Sequence, residues 1–362
     1  MQNGMESMTR GQADRAGKAL AEQYEKWSVA LELVREESEI LEPFRLVQQW
    51  RAMQIAPTRI VFEQLQQISK LIPRSLVTFR MKRTSSIIKK LARKNTNLRL
   101  GSMDDIGGCR LIVDNIDQVY FAAKKIADCL EAKEPRGIKD YIAHPKESGY
   151  RSLHLIVVVP GERLASRVEI QIRTRIQHSW ATGVEAAGAI YGEDYKSPET
   201  FVPSEVPSEA VERFFRLSSG LLALKEGCPT AANIPDSKAE LLREFLELPN
   251  RKQILEDLGE ATDSSFRSVQ TGLDSVGADS SLYVLEYDRE AQVLYATPFP
   301  AADIDSAISY YNRNEEEEIF FPKRDTVLVY ATSPEYLSAA FPNYSTNLGE
   351  FVSNLADFAS LK

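Results

Sequence analysis

Two lysines and a serine are the first side chains whose spacing could do chemistry. The sequence predicts a helix over residues 80–92, and on it Lys82, Ser86 and Lys90 lie four residues apart and share one stripe. Two ammonium groups and a hydroxyl in a row suit a polyphosphate, because they can make charge-assisted hydrogen bonds to phosphate oxygens. A solvated basic helix face would have the same spacing, so the stripe alone leaves both interpretations open.

A pair of carboxylates is the second candidate group. Asp105 precedes two glycines and a predicted buried strand, and Glu169 lies in an alternating strand whose other outward residues are Gln171 and Arg173. If the two acids come from neighbouring strands, they could share a Mg²⁺ ion, which prefers carboxylate and phosphate oxygens. A half-exposed strand explains the alternation equally well. The glycines fit neither a Walker loop nor a GxGxxG motif.

The segment 139–154 is the third candidate, because it combines aromatic and cationic side chains. An aromatic face with nearby cations can hold a nucleobase and its phosphates. A surface loop with a packed tyrosine is the alternative. The side chains concerned are Lys139, Lys146, Tyr150, Arg151 and His154.

Predicted strands and helices alternate around these groups over about 110 residues. The first 70 residues have helical spacing and carry no recognisable chemistry. Residues 236–362 predict a separate small α/β unit. We therefore expect an N-terminal helical region over 1–70, a domain that holds the chemistry over 71–227, and an accessory domain over 236–362.

The composition excludes several classes of protein. With 43% hydrophobic and 27% charged residues, the chain is neither disordered nor fibrous. It contains no apolar run long enough to span a membrane, and its first residues are polar. We therefore expect a cytoplasmic protein with no membrane partner. Three cysteines and three histidines are too few for a disulfide scaffold or a histidine-rich metal centre.

The net charge of −8 hides an opposition between two parts of the chain. Residues 65–103 contain ten basic and no acidic side chains. Residues 236–362 contain 23 acidic and 10 basic side chains, a balance of −13, which leaves +5 for residues 1–235. We expect a basic cleft in the first part, which the acidic domain could occupy as a built-in inhibitor. An oligomerisation or stability role for that domain is the alternative.

In order along the chain, these segments resemble the synthetase domain of the RelA/SpoT family, whose members make the alarmones ppGpp and pppGpp. The resemblance runs over roughly residues 45–225 and rests on four motifs, which are RMKRTSSIIKK at 80–90, DIGGCR at 105–110, KDYI…PK…GYRSLH at 139–154 and EIQIRT at 169–174. It implies an α+β fold with a mixed β-sheet flanked by helices, similar to nucleotidyltransferases. It also implies transfer of the β,γ-pyrophosphate of ATP to a nucleoside 3′-hydroxyl, with release of AMP.

The resemblance assigns roles to individual residues. Arg80 and Arg110 would sandwich the adenine, and Lys82, Ser86 and Lys90 would hold the ATP phosphates. Asp105 would bind Mg²⁺, and Glu169 would assist the metal or deprotonate the 3′-hydroxyl. Tyr150 would stack on the acceptor base, and the residues expected around the acceptor are Lys139, Lys146, His154, Gln171 and Arg173.

Three functions remain open on the sequence. The first is an ATP-dependent pyrophosphokinase that makes alarmone from GDP or GTP. The second is a toxin of the same family that modifies the 3′-terminal adenosine of tRNA or adenosine nucleotides and is restrained by its C-terminal domain. The third is a catalytically dead nucleic-acid-binding module, which would not depend on Asp105 or Glu169 and would lose affinity steeply as salt rises. Homo-oligomer formation is left open.

Overall fold

The computed structural model describes residues 8–29, 37–93, 97–130, 137–161, 164–191, 206–264, 281–288, 293–320, 324–331 and 348–359. Its helices are α1 (Arg10–Val29), α2 (Glu37–Ala52), α3 (Ile55–Ser69), α4 (Thr84–Leu91), α5 (Ile116–Cys129), α6 (Arg175–Tyr191), α7 (Ser208–Glu226), α8 (Lys238–Glu247), α9 (Arg251–Ser264), α10 (Ile304–Phe320) and α11 (Gly349–Ala359). Its strands are β1 (Leu76–Met81), β2 (Gly107–Val113), β3 (Ile138–Asp140), β4 (Leu153–Val159), β5 (Ser166–Thr174), β6 (Ser281–Asp288), β7 (Val293–Pro300) and β8 (Arg324–Ala331). None of these described helices combines the length and the apolar character needed to cross a lipid bilayer.

The described strands form one eight-stranded sheet in the order β3-β4-β5-β2-β1-β8-β6-β7. Strands β2 and β5 are parallel, and the other neighbouring pairs are antiparallel. A parallel pair needs a crossover connection, and the chain between β2 and β5 contains α5 and the β3–β4 hairpin. The predicted α+β fold with a mixed, helix-flanked sheet is confirmed.

One face of the central strands packs on helices α3 and α5. Alternation in β1 directs Val77, Phe79 and Met81 into this core, where Phe79 meets Phe62 of α3 edge to face. At Gly107 a Cβ atom would lie 1.9 Å from Oγ1 of Thr58, so only glycine lets α3 come this close to β2. The opposite face is left for the side chains of the site.

The predicted helix over residues 80–92 is wrong at its start. Arg80 belongs to β1, which pairs with β2 as far as Met81, and α4 begins only at Thr84. The β-branched and aromatic residues of 77–79 favour the strand, and pairing with β2 carries it past Arg80. Lys82 therefore lies in the connection before α4, while Ser86 and Lys90 lie on the helix itself.

The C-terminal strands extend the sheet of the first part of the chain. Strand β8 pairs with β1 at Phe79↔Tyr330 and Arg80↔Val329, and β6 and β7 follow β8 in order. Helix α11 packs on α6 and α7, where Phe351 stacks on Phe215 with ring centroids 5.8 Å apart. The division at residues 71–227 and 236–362 stays a prediction.

Candidate active site

The strand registers place the predicted site residues in one row across the sheet. Lys139 of β3 lies opposite His154 of β4, which lies opposite Gln171 of β5. Gln171 in turn lies opposite Arg110 of β2. Since laterally paired residues point to the same side of a sheet, and residues two apart do so along a strand, Glu169 shares this face.

Arg80 of β1, the residue expected to contact adenine, lies near the carboxylates in a second row across the sheet. Arg80 lies opposite Gly108, and Gly108 lies opposite Glu169, so no side chain stands between the arginine and the glutamate. The cavity there has a volume of about 70 Å³ and is lined by Thr78, Arg80, Lys82, Asp105, Gly108, Cys109, Arg110, Glu169 and Gln171. Residues from two of the three predicted groups thus line one cavity, and the third group, the 139–154 segment, contributes none.

Asp105 is held between two lysines directly before β2. Its Oδ2 accepts hydrogen bonds from Nζ of Lys82 at 3.0 Å and Nζ of Lys90 at 2.8 Å. Burial acts to raise the pKa of Asp105, but the two ammonium groups outweigh it, and the pKa lies well below its usual range. The group is therefore a carboxylate at neutral pH.

The second oxygen of Asp105 is suited to a metal ion. Among the described residues, Oδ1 is buried and has no hydrogen-bond partner, although a buried carboxylate oxygen normally has one. The described residues contain no group of three or more His, Cys, Asp or Glu that could hold a metal. A Mg²⁺ ion would therefore depend on Asp105, Glu169 and oxygens from the nucleotide or water, which is how magnesium is commonly bound.

Glu169 belongs to a closed ring of hydrogen bonds, here called the circuit. Its Oε1 lies 3.1 Å from Nδ1 of His154, and its Oε2 accepts from Nε2 of Gln171 at 2.8 Å. Nε2 of His154 lies 2.7 Å from the hydroxyl of Tyr150, which accepts from Nη2 of Arg173 at 2.6 Å. The same guanidinium nitrogen donates to Oε1 of Gln171 at 2.8 Å and closes the circuit.

The charges fix the direction of these bonds. Burial acts to raise the pKa of Glu169, but the bond to His154 outweighs it and the pKa falls to about 2. Burial lowers the pKa of His154, so its ring is neutral at pH 7 and carries one hydrogen. An ionised Glu169 can only accept, so that hydrogen lies on Nδ1, and Nε2 must accept from the hydroxyl of Tyr150.

Two guanidinium groups, those of Arg80 and Arg110, line the cavity, and the charge of a third, Arg173, acts on Arg110. Burial, together with the neighbouring Arg173 and Arg80, lowers the pKa of Arg110 to about 9. Like charges held this close favour an anionic ligand, because a polyanion would relieve their repulsion. The predicted triphosphate of ATP has this character.

The remaining predicted residues surround the cavity rather than line it. Ser86 is half-buried on α4, and Lys139 is exposed on the edge strand β3. Tyr150 is 9% exposed, with Nζ of Lys146 at 5.0 Å and Cζ of Arg173 at 5.1 Å from its ring centroid. Stacking of Tyr150 on an acceptor base stays a prediction.

Two contributors to the site were missed from the sequence. Thr78 lines the cavity two residues before Arg80, and period-two alternation would have indicated it had this stretch been predicted as a strand. Glu226 of α7 forms a buried ion pair with Arg151, next to Tyr150, and also accepts from the hydroxyl of Thr174. These two residues lie 75 positions apart, and no local pattern predicts their contact.

Replacing Gly149 with alanine should destabilise the protein by about 2–4 kcal/mol, because the residue has φ +89° and a Cβ would lie 2.8 Å from Cβ of Ser219. Gly227→Ala is the matched control, since Gly227 also has positive φ (+67°) but no atom within 4 Å of a Cβ. It should cost only about 1–2 kcal/mol of left-handed strain. Urea denaturation of both variants measures the difference, and equal costs would contradict the predicted steric contact.

Comparison with known proteins gives matches over the part of the chain that contains strands β2 to β5. Residues 79–196 match the family described as "Region found in RelA / SpoT proteins". The chain is 37% identical over 118 residues to the GTP pyrophosphokinase YjbM of Bacillus subtilis, which covers 30% of this chain and 54% of that protein. It is 39% identical over 115 residues to the GTP pyrophosphokinase YwaC of the same organism, covering 28% and 52%.

A solved structure matches a larger share of both chains. The crystal structure of small alarmone synthetase 1 from Bacillus subtilis bound to its product pppGpp has 28% identity and a TM-score of 0.40, and the match covers 50% of this chain and 94% of that one. The chain spans about half the length of the two curated Bacillus relatives that it matches. From residue 79 to residue 196, the chain carries a domain of the RelA/SpoT family.

Proposed function

We propose that this protein is an ATP-dependent pyrophosphokinase that transfers the β,γ-pyrophosphate of ATP to the 3′-hydroxyl of GDP or GTP, making ppGpp or pppGpp. The observation that carries the proposal is Asp105, with one oxygen held by Lys82 and Lys90 and the other unpartnered, in the same cavity as Glu169. The GTP pyrophosphokinase relatives support the reaction class. Free nucleotides are its substrates, and the cytoplasm supplies them.

The proposed reaction needs positioning and charge more than covalent chemistry. The acceptor 3′-oxygen attacks the β-phosphorus of ATP, the bond between the α-phosphorus bridging oxygen and the β-phosphorus breaks, and AMP leaves. Lys82 and Lys90 neutralise phosphate oxygens, and Arg80 and Arg110 hold the adenine. Mg²⁺ held by Asp105 and Glu169 would supply further neutralisation of the phosphate charge.

Glu169 takes the proton of the 3′-hydroxyl in this proposal. Its pKa of about 2 belongs to the site without substrate. A bound triphosphate adds negative charge beside the carboxylate and acts to raise its pKa, whereas a Mg²⁺ ion at Asp105 and Glu169 would act to lower it, so the proposal requires the phosphate charge to outweigh the ion at Glu169. The circuit through His154 and Tyr150 holds the carboxylate oriented during the transfer.

The test is incubation with Mg²⁺ and γ-³²P-ATP in the separate presence of GDP, GTP, AMP, unlabelled ATP and deacylated tRNA. Label in GDP or GTP supports the proposal. Label in tRNA or adenosine nucleotides supports instead the toxin-type acceptor, and no label in any acceptor overturns both. A parallel reaction with α-³²P-ATP separates pyrophosphate transfer, which yields labelled AMP, from single phosphate transfer, which yields labelled ADP.

A further inference from the structure

A glutamate from the C-terminal part of the chain caps the helix that carries two of the predicted phosphate-binding residues. Oε1 of Glu315 on α10 accepts from the backbone N–H of Thr84 at 3.0 Å and from the hydroxyl of Tyr311 at 2.9 Å. Its Oε2 accepts from the hydroxyl of Thr84 at 2.8 Å and from Nη1 of Arg51 at 2.6 Å. Thr84 is the first residue of α4, so the carboxylate lies at the N-terminus of that helix.

Helix α4 does not cap itself. The first backbone N–H groups of a helix have no partner within the helix, and a side chain of the N-cap residue usually supplies one. The N-cap residue here is Arg83, which makes no side-chain capping bond. Glu315 satisfies one of these N–H groups from 231 residues away and adds negative charge where the helix dipole favours it.

The contact is sealed from water. The side chains of Arg51 and Glu315 are 1% and 4% exposed, and Thr84 and Tyr311 are also buried. The guanidinium of Arg51 also donates to the hydroxyl of Thr84 at 2.8 Å and to Oδ1 of Asn312 at 2.8 Å. Such a dry, fully paired group has one geometry, so it can set the position of the helix as well as its stability.

A second link reinforces the first from strand β8. Nη1 of Arg83 lies 2.6 Å from Oδ1 of Asp325. Lys82, Arg83 and Thr84 are consecutive, so two side chains of the C-terminal part hold the two residues that follow Lys82. From Thr84 the helix continues to Ser86 and Lys90, and Lys90 reaches Asp105.

We propose that Glu315 is a positioning residue for ATP, which holds α4 so that Lys82, Ser86 and Lys90 meet the phosphates together. This inference rests on the proposed function, because it takes the phosphate-binding role of these residues from it. It makes residues 304–331 a support for the ATP site rather than an inhibitor of it. Removal of that support should therefore weaken ATP binding, whereas removal of a built-in inhibitor, the role suggested by the charge opposition in the sequence, would strengthen it.

The test compares three forms of the full chain with the wild type. Glu315→Gln keeps the side-chain volume and removes the charge. The double variant Arg51→Met with Glu315→Leu removes both buried charges, which avoids leaving Arg51 uncompensated and should restore much of the stability. Glu316→Gln is the control, because Glu316 follows on the same helix and pairs with the more exposed Arg45.

Binding of α,β-methylene ATP, which the proposed reaction cannot cleave, is the primary measurement. We expect both Glu315 variants to bind it about tenfold more weakly, as loss of a helix cap implies, and the control to match the wild type. In the transfer assay KM for ATP should rise by a similar factor while KM for the acceptor stays within about twofold. Thermal unfolding should show Glu315→Gln destabilised and the double variant largely restored.

The outcomes separate a positioning role from a structural one. Weak ATP binding in the stable double variant supports the inference, because stability no longer explains the loss. Recovery of ATP affinity together with stability overturns it, and so does unchanged affinity in Glu315→Gln. A wild type that binds the analogue but transfers no pyrophosphate refutes the proposed function alone, and the binding data still decide the role of Glu315.

Discussion

Asp105→Asn should lower kcat for pyrophosphate transfer by about a thousandfold. The substitution keeps the shape of the side chain but replaces a carboxylate by a neutral amide. A metal ion contributes several kcal/mol to the stabilisation of transition-state charge, and each 1.4 kcal/mol is a factor of ten in rate. The unpartnered Oδ1, which is the oxygen suited to Mg²⁺, loses most of its affinity for the ion when the charge is removed.

Binding of ATP should respond in the opposite direction when no divalent ion is present. In the free protein Lys82 and Lys90 are engaged by Oδ2 of Asp105 at 3.0 and 2.8 Å. The amide holds them less strongly, so their ammonium groups become more available to phosphate oxygens. We expect α,β-methylene ATP to bind Asp105→Asn at least as tightly as the wild type in EDTA, while addition of Mg²⁺ no longer improves binding.

Asp104→Asn is the control for this prediction. Asp104 is adjacent in sequence and forms a partly exposed ion pair with Arg167 at 2.8 Å. Such pairs contribute little, typically less than about 1 kcal/mol, so this variant should keep most of its activity. Comparable losses in both variants would mean that the segment is disturbed as a whole, and full activity in Asp105→Asn would remove the carboxylate from the mechanism.

The sequence predicted the face-forming residues of the site because the periodicity there is simple. Val168, Ile170 and Ile172 are fully buried, while Glu169 and Gln171 line the cavity on the other face. One alternating strand is enough to divide its side chains in this way. The parallel pairing of β2 with β5 then brings Asp105 near Glu169. From the sequence this proximity could be predicted only on the condition that the two acids come from neighbouring strands.

The start of α4 was not predictable from helical spacing alone. Lys82, Ser86 and Lys90 fit a helix at every position, yet pairing of β1 with β2 keeps the backbone extended through Met81. Lys82 still meets Lys90 at Asp105, because the connection turns both ammonium groups toward the same oxygen. Strand pairing thus overrode the helical spacing at Lys82, yet Lys82 and Lys90 remain close together.

The support of α4 by Glu315 illustrates what a sequence pattern does not contain. In the sequence the acidic run at 315–318 indicates only a charged helix end, and the charge balance of residues 236–362 suggested inhibition. In the structure Glu315 is paired inside the protein with Arg51 and Thr84, while Glu316 pairs with the exposed Arg45. Net charge counts these glutamates equally, although burial gives each a different partner and a different role.

Glu169→Gln should lower kcat by about 10²–10⁴-fold, which is the range expected for loss of a general base. An amide at this position cannot accept from both His154 and Gln171, because its NH₂ group would face one of those donors. The hydrogen-bond circuit would therefore also be broken at this point. Steady-state kinetics with saturating acceptor measure the effect.

The pH dependence of kcat separates a base from a purely structural carboxylate. The pKa of His154 is lowered by burial below its ordinary value of 6.5, so activity should be constant near pH 7 and fall only in more acidic solution. There a second ring hydrogen on Nε2 would reverse the bond to Tyr150, and the charged ring would weaken Glu169 as a base. Glu147→Gln is the matched control, because Glu147 is exposed in the 139–154 loop and outside the circuit. A rate that is unaffected by Glu169→Gln, or a loss of rate in Glu147→Gln comparable to that in Glu169→Gln, would contradict the assignment of Glu169 as the base.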